Sequence, residues 1–476
     1  MREKCAVVGL YSADAENAPF DVYQMLMALQ HRGQDGTGIS SFHSGKLHRY
    51  AENGLVTNVY KEGILKLLSG NLLVGHNRYG TEGDVEGERG KGNLQPCVVE
   101  DGQYIVHFVH NGNIPYYERL EKKIQADYKY VPKTNVDTEL LEFLYLRFFE
   151  ETSDHFAANK KLMKNVPGAY SYAALFYDKD KETGWLIGAR DGYGVRPLIY
   201  SEGKEKKIIV SESAALNKMG IKDFRDLLPG EVVVINSDGR FESRVVIGSE
   251  PRHCLFEYSY FSSSVSVWEG RNVGGFRYNV GEILAEMYPA KADFVVPTPD
   301  SGRLAAEGYA AKSGIPLVSA IVRDQSIQRT FIAPPQRIDG EVRQKYFYNP
   351  SLTRDKRLVV VDDSSVRGKT MKEIVANCKE IGNAKEVHVR LAYPPIYREC
   401  DWGIAFRHTK ELTAAPYFVP DPDLFLPMYN DIFARIVGAD SAGFISIKKA
   451  EEALGLKGKL CLGCTAGKKP FEVNTY

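Results

Sequence analysis

Residues Leu358-Val359-Val360-Val361-Asp362-Asp363-Ser364-Ser365-Val366-Arg367-Gly368-Lys369-Thr370 constrain the fold more than any other stretch of the chain. An apolar strand runs into two acids, then a loop of small residues, then the start of a helix. Loop amides and a helix N-terminus form a cup for a phosphate. Adjacent acids at the strand end suit ribose hydroxyls and a magnesium ion, a hard cation that prefers oxygen ligands. A Walker-type phosphate loop is the competing reading because of Gly368-Lys369-Thr370. It fails, because the upstream glycine of that motif would fall at Asp363.

The same rhythm extends through the second half. Phe294–Pro297, Leu317–Val322, Leu358–Val361 and Val387–Ala392 read as short apolar strands, with helical patterns at Gly302–Ser313 and Thr370–Ile381 between them. Strands alternating with helices predict right-handed βαβ units and a parallel sheet. Arg323–Asn349 has no clean period and reads as a functional lid. Beyond Phe406 the tail carries helical stretches near Pro427–Val437 and Ser446–Leu454.

In the first half, short runs broken by glycine predict a large, mainly antiparallel system: Cys5–Tyr11, Leu72–His76, Tyr104–His110, Tyr170–Tyr177, Gly184–Ala189, Lys207–Ser211 and Glu231–Ile235. Helical periodicity appears at Val22–Leu29 and Thr138–Glu150. Leu228–Ile235, with its Pro-Gly turn, reads as a closing hairpin, and a boundary follows near Gly248–His253. The expected division is a propeptide at 1–4, domains at 5–248 and 249–405, and a C-terminal extension at 406–476.

Cys5 opens an apolar run. If residues 1–4 were removed, its thiol and a free α-amine would belong to one residue. An α-amine titrates near roughly 7.7–8.0 and can serve as general base for its own side chain. Four motifs follow: His31-Arg32-Gly33-Gln34-Asp35-Gly36, Gly75-His76-Asn77-Arg78-Tyr79-Gly80-Thr81, His110-Asn111-Gly112-Asn113 and Asp137-Thr138-Glu139. Read singly, Cys5 is a buried strand cysteine, Arg78 a surface charge, Asn111-Gly112 a hairpin turn and Asp137 a helix N-cap. Together, in this order, they resemble the N-terminal-nucleophile glutaminase domain, an αββα fold.

That resemblance implies Cys5 as the nucleophile and Arg78 forking onto the α-carboxylate of glutamine. Asp137 would accept from the α-ammonium, and Asn111 with the Gly112 N–H would form the oxyanion hole. The second half resembles the type I phosphoribosyltransferases, which bind 5-phosphoribosyl-1-pyrophosphate (PRPP). Pro299-Asp300-Ser301-Gly302-Arg303 matches their pyrophosphate loop, and Ser301, Asp362 and Asp363 would surround the magnesium. Asp300, Gly302, Arg303, Ser364, Arg367, Gly368 and Thr370 would contact PRPP, with Arg329 and Lys345 reaching phosphate charges from the lid.

Nearly the whole chain is similar to the amidophosphoribosyltransferase family. This implies conversion of glutamine, PRPP and water to 5-phosphoribosylamine, glutamate and pyrophosphate, the entry to de novo purine synthesis. The alternatives are a sibling PRPP-dependent enzyme with another nucleophile or acceptor, and a non-catalytic PRPP or nucleotide sensor. The family pattern is altered around the lid at Asp324-Gln325-Ser326 and Phe347-Tyr348, and in the phosphate loop at Ser365 and Lys369.

Seven cysteines do not read as a disulfide framework. Cys97 and Cys378 read as small buried hydrophobes. Cys461-Leu462-Gly463-Cys464 alone suits zinc and iron–sulfur equally. With Cys254 and Cys400 it matches the [4Fe–4S] ligands of one branch of the family, with zinc as the alternative. Lys plus Arg and Asp plus Glu both number 61, so nothing favours a general grip on nucleic acid or anionic membrane. No apolar run approaches a membrane span. The expectation is a cytoplasmic homo-oligomer inhibited by purine nucleotides.

Overall fold

The computed structural model describes residues 5–79, 93–324, 346–404 and 408–471. The first half is built on two antiparallel sheets. The strands are β1 (Ala6–Ser12), β2 (Gly36–His43), β3 (Lys46–Asn53), β4 (Leu72–Arg78), β5 (Cys97–Asp101) and β6 (Tyr104–Asn113). After them come β7 (Ala169–Asp178), β8 (Thr183–Arg190), β9 (Ile199–Glu202), β10 (Lys206–Val210), β11 (Arg225–Asp226), β12 (Glu231–Asn236) and β13 (Phe241–Val245). One sheet runs β11-β9-β10-β1-β4-β2-β3 and the other β13-β12-β8-β7-β6-β5.

Period-two alternation explains the layering. Along β1, Ala6, Val8 and Leu10 pack under the helix Ala18–Ala28 with Val22, Met25 and Leu26. Val7 points the other way, into the seam between the sheets with Val74, Val109, Ala173 and Val233. On the far side Val106 and Phe108 meet the helices Asp137–Thr152 and His155–Asn165 through Leu141, Tyr145 and Leu162. The result is four layers, helix–sheet–sheet–helix.

The second half holds the parallel sheet. Phe294–Pro297, Arg357–Asp362, Glu386–Leu391 and Ser441–Phe444 lie side by side in that order, all parallel. Val295, Val359 and Val361 face the helices Val273–Met287 and Arg303–Ser313, while Val296, Leu358 and Val360 face Lys369–Glu380 and Pro422–Val437. The segment 406–476 thus supplies the fourth strand and a covering helix.

Three local expectations are corrected. Leu317–Val322 is not one strand: Leu317 makes an isolated bridge to Val295, and Ile321–Arg323 pairs antiparallel with Tyr346–Tyr348. That pairing joins the two ends of segment 325–345. The closing hairpin is β12–β13, later than Leu228–Ile235, because Pro229-Gly230 leads into β12 while the reversal is made around Gly239. Asp137 is not a helix N-cap; Val136 holds that position and Asp137 is the first helical residue.

Candidate functional site

Cys5, half-buried, immediately precedes β1, the neighbour of β4. Its main-chain carbonyl accepts from Arg32 Nε at 2.9 Å. The turn that brings Arg32 there needs Gly33: a Cβ at that position would lie 2.6–2.7 Å from the backbone of Asn77 and Arg78. Arg78 ends β4 on this side, and its carbonyl accepts from Asp35 N at 3.1 Å.

Asn111 and Gly112 lie near the end of β6, opposite Ser171 and Tyr170 of β7. Gly112 has φ 154°, and a Cβ there would stand 2.0 Å from the Ala169 carbonyl, so only glycine fits. Asn111 is 2% exposed and its Nδ2 is buried with no hydrogen-bond partner among the described residues. A buried amide donor left unmade is costly in the ground state.

Asn111 and Gly112 are thus strand residues paired with β7 and not the hairpin turn their sequence suggests, and Asp137 is bonded to the chain just beyond the end of that strand. Its Oδ2 accepts from Ile114 N at 3.0 Å, two residues past Gly112. Burial raises its carboxyl from 3.8 to about 6, against the opposing hydrogen bonds from Ile114 and Thr138. His110 Nδ1 stands 3.7 Å from Asp137 Oδ1, but burial lowers that imidazole to about 3, so at neutral pH it is uncharged. His110 therefore does not neutralise Asp137 at that pH.

The second constellation sits at the carboxyl ends of the parallel strands, where open α/β sheets bind ligands. Thr298 N donates to Val361 O at 2.9 Å, which brings the loop 299–302 against the loop after the strand Arg357–Asp362. Gly302 is required at the crossing, since a Cβ would lie 2.3 Å from the Val361 carbonyl. Asp362, Asp363 and Ser364 are buried, with Ser364 Oγ donating to Asp363 Oδ2 at 2.6 Å. Ser301 and Asp363 line one small cavity together with Arg277. Gly368, at φ 68°, turns the chain into the helix that begins at Lys369, leaving Thr370 exposed in its first turn.

The outer residues of this constellation have other partners here. Asp300 Oδ2 is 3.5 Å from Arg323, Arg303 pairs with Glu307 at 3.0 Å, and Arg367 Nε donates to Glu411 at 2.7 Å. All three are solvent-exposed arrangements that a charged ligand can displace. Arg329, Lys345 and residues 1–4 lie outside the described residues.

Four cysteines distant in sequence, Cys254, Cys400, Cys461 and Cys464, line one cavity. Cys254 and Cys461 are direct partners in the parallel pair His253–Cys254 and Leu460–Cys461. Trp402 N donates to Cys400 Sγ at 3.4 Å, and Tyr393 Oη lies 3.3 Å from Cys464 Sγ. Among the described residues no three His, Cys, Asp or Glu side chains converge as they would on a single metal ion. Cys97 and Cys378 are buried elsewhere, 4% and 0% exposed.

Several charged residues were not singled out by sequence. Arg32, Glu212, Glu257 and Arg196 form a buried ion-pair cluster, and Arg277 donates to the Tyr258 and Ser262 carbonyls at 2.8 and 2.7 Å. Their partners lie far away in sequence, so only Arg32, inside its motif, carried a local signal.

Comparison with known proteins identifies the family. A glutamine amidotransferase domain family matches residues 85–218. Amidophosphoribosyltransferase of Pyrococcus horikoshii is 38% identical over 99% of this chain and 97% of its own. That of Archaeoglobus fulgidus is 36% identical, covering 98% of each chain. The solved glutamine PRPP amidotransferase from B. subtilis, complexed with ADP and GMP, superposes with a TM-score of 0.84 at 32% identity, covering 99% of this chain and 98% of that one. No helix among the described residues is long and apolar enough to cross a membrane. The chain belongs to the amidophosphoribosyltransferase family, pentosyltransferases with glutamine amidotransferase activity that carry out the first step of purine biosynthesis.

Proposed function

We propose that the two constellations act in series on one nitrogen atom. With residues 1–4 removed, the α-amine of Cys5 takes the thiol proton and the thiolate attacks the glutamine amide. Arg78 forks onto the substrate carboxylate and Asp137 accepts from its ammonium. As the carbonyl oxygen becomes negative, Asn111 Nδ2 and the Gly112 N–H donate to it. The proton carried by the Cys5 amine passes to the departing nitrogen, leaving a thioester and ammonia. Water then hydrolyses the thioester to glutamate.

Ammonia is consumed at the second constellation, where its nitrogen forms a bond to C1 of the ribose as the C1–pyrophosphate bond breaks, and the C1-bound ammonium then gives up one proton to solvent or to the departing pyrophosphate. Asp300, Gly302 and Arg303 face the pyrophosphate, and Ser364, Arg367, Gly368 and Thr370 cup the other phosphate. Asp362 and Asp363 hold the ribose hydroxyls. Arg329 and Lys345, outside the described residues, supply the cationic charge that the family resemblance assigns to the phosphates. The donor set of Ser301, Asp362 and Asp363 is all oxygen, which suits magnesium; these residues would hold the ion, which would supply positive charge against the pyrophosphate.

The cysteine cavity suits a [4Fe–4S] cluster better than zinc. All four cysteines line one cavity, the Trp402 N–H donates to Cys400 Sγ and Tyr393 Oη lies beside Cys464 Sγ, and hydrogen-bonding groups at the sulfurs are what iron–sulfur sites use to tune the cluster. Such a cluster would tie Cys461 and Cys464, near the chain end, to the junction at Cys254. The transfer reaction moves no electrons, so the role is structural. The B. subtilis relative solved with ADP and GMP supports purine nucleotides as inhibitors; a cytoplasmic homo-oligomer is the working form.

The observation that carries this reading is the buried, unpartnered Asn111 Nδ2 beside a glycine that admits no side chain. Intact-mass measurement of glutamine-active protein tests the amine step. The mass should begin at Cys5; active protein retaining Met1-Arg2-Glu3-Lys4 would refute it.

A further inference from the structure

Cys5 is held from beyond the junction of the two halves. Arg32, which donates to the Cys5 carbonyl at 2.9 Å, is fully buried, and a buried guanidinium requires counter-charge. Two carboxylates supply it. Arg32 Nη1 donates to Glu212 at 2.5 Å and to Glu257 Oε2 at 3.0 Å, while Nη2 donates to Glu257 Oε1 at 2.9 Å. Glu257 belongs to the π-helical turn Glu257–Phe261, three residues after Cys254.

Glu257 is itself fully enclosed. Arg196 Nη1 donates to its Oε1 at 3.1 Å and Ser262 Oγ to its Oε2 at 3.0 Å. Arg196 continues to the Trp402 carbonyl at 2.8 Å, two residues from Cys400. Two buried guanidinium groups thus meet two buried carboxylates, with partly exposed His31 also 3.0 Å from Glu212, and Glu257 grips Arg32 in bidentate fashion. Fixing the Cys5 carbonyl fixes rotation about the Cα–C bond of that residue. That torsion decides where the α-amine and the thiol stand relative to β1, and so relative to Asn111.

We infer that Glu257 is a positioning residue for glutamine hydrolysis: acting through Arg32, it orients the nucleophile of the first half from the second half of the chain. This rests on Cys5 being the nucleophile. The bland alternative is an ion pair that only fastens the halves together. The two differ in what they move. A fastener lowers every activity with folding, whereas a positioning residue lowers kcat for glutamine and spares KM, because neither the Arg78 nor the Asp137 side chain is among the groups Glu257 bonds.

The test compares the full-length protein with Glu257→Gln, which keeps the shape but weakens the grip on Arg32. Glutamine hydrolysis and PRPP turnover with free ammonia are measured on the same preparations. The expected result is a fall of about 10²-fold in kcat for glutamine, the scale of an ångström-sized misplacement, with KM for glutamine and ammonia-dependent turnover near wild type. Unchanged kcat for glutamine overturns the inference, as does a parallel fall in both activities of folded protein. If Glu257→Gln does not fold, Ser262→Ala removes one hydrogen bond to Glu257 without unpairing a charge. It should show the same split on a smaller scale, and equal kcat there overturns the inference. Cys5→Ala, run alongside, separates the failures: if it retains glutamine hydrolysis the nucleophile assignment falls, and if it abolishes hydrolysis while Glu257→Gln does not, only the positioning role falls.

Discussion

Asp137 Oδ2 accepts the main-chain N–H of Ile114 at 3.0 Å, which ties the acid at the start of one helix to the end of the strand that carries Asn111 and Gly112. A change at Asp137 therefore separates binding from rigidity. In Asp137→Asn the amide oxygen can still accept from Ile114, but no negative charge faces the substrate ammonium. The expected loss is about 2 kcal/mol of glutamine affinity, roughly a 30-fold rise in KM, measured by steady-state kinetics with saturating PRPP.

The same carboxyl sets a pH signature. Its value is raised from 3.8 to about 6 by burial. A carboxyl harder to ionise when folded contributes stability at low pH that is lost as pH rises from about 4 through 6. Asp137→Asn removes that loss, so its gain in Tm over wild type should grow across this window and then level off. In activity, log kcat/KM for glutamine should fall with unit slope as the Cys5 amine is protonated and steepen below about pH 6 as Asp137 follows. The variant should lack the steepening.

Asn111→Ala tests the oxyanion donor. Removing one such donor costs about 10²–10³ in kcat. Because Nδ2 of Asn111 has no hydrogen-bond partner among the described residues, its loss should leave Tm unchanged or slightly raised. A large drop in Tm would mean the amide has a structural bond instead.

At the cysteine cavity, protein purified without oxygen should contain iron and sulfide in equal amounts. Cys461→Ser should lose both and melt at lower temperature, whereas Cys378→Ala, in a separate core, should keep its metal. Stoichiometric zinc without sulfide in wild type would exclude the cluster.

Legibility in the sequence followed the range of the interactions. The phosphate loop and the strand Arg357–Asp362 are local, with apolar run, acids and helix start within thirteen residues, and every part was readable. Strands β2 and β3 were not. β2 buries Thr37, Ser40 and Ser41, whose polarity hides the pattern: Thr37 Oγ1 donates to the His76 carbonyl at 2.9 Å, and Ser40 is satisfied by His107 at 2.8 Å. β3 is polar and largely exposed. The strand Ser441–Phe444 is four residues long and owes its existence to pairing with Glu386–Leu391. Arg32 and Glu257 meet across 225 positions, a separation at which no spacing rule operates.

The coupling of the two sites through one nitrogen is most directly tested by pyrophosphate release from PRPP, with glutamine or with free ammonia as donor, in wild type and Cys5→Ala. Wild type should use both donors, and Cys5→Ala should lose the glutamine-dependent rate while keeping the ammonia-dependent one. Equal glutamine-dependent rates in the two proteins would contradict the assignment of Cys5 and everything built on it.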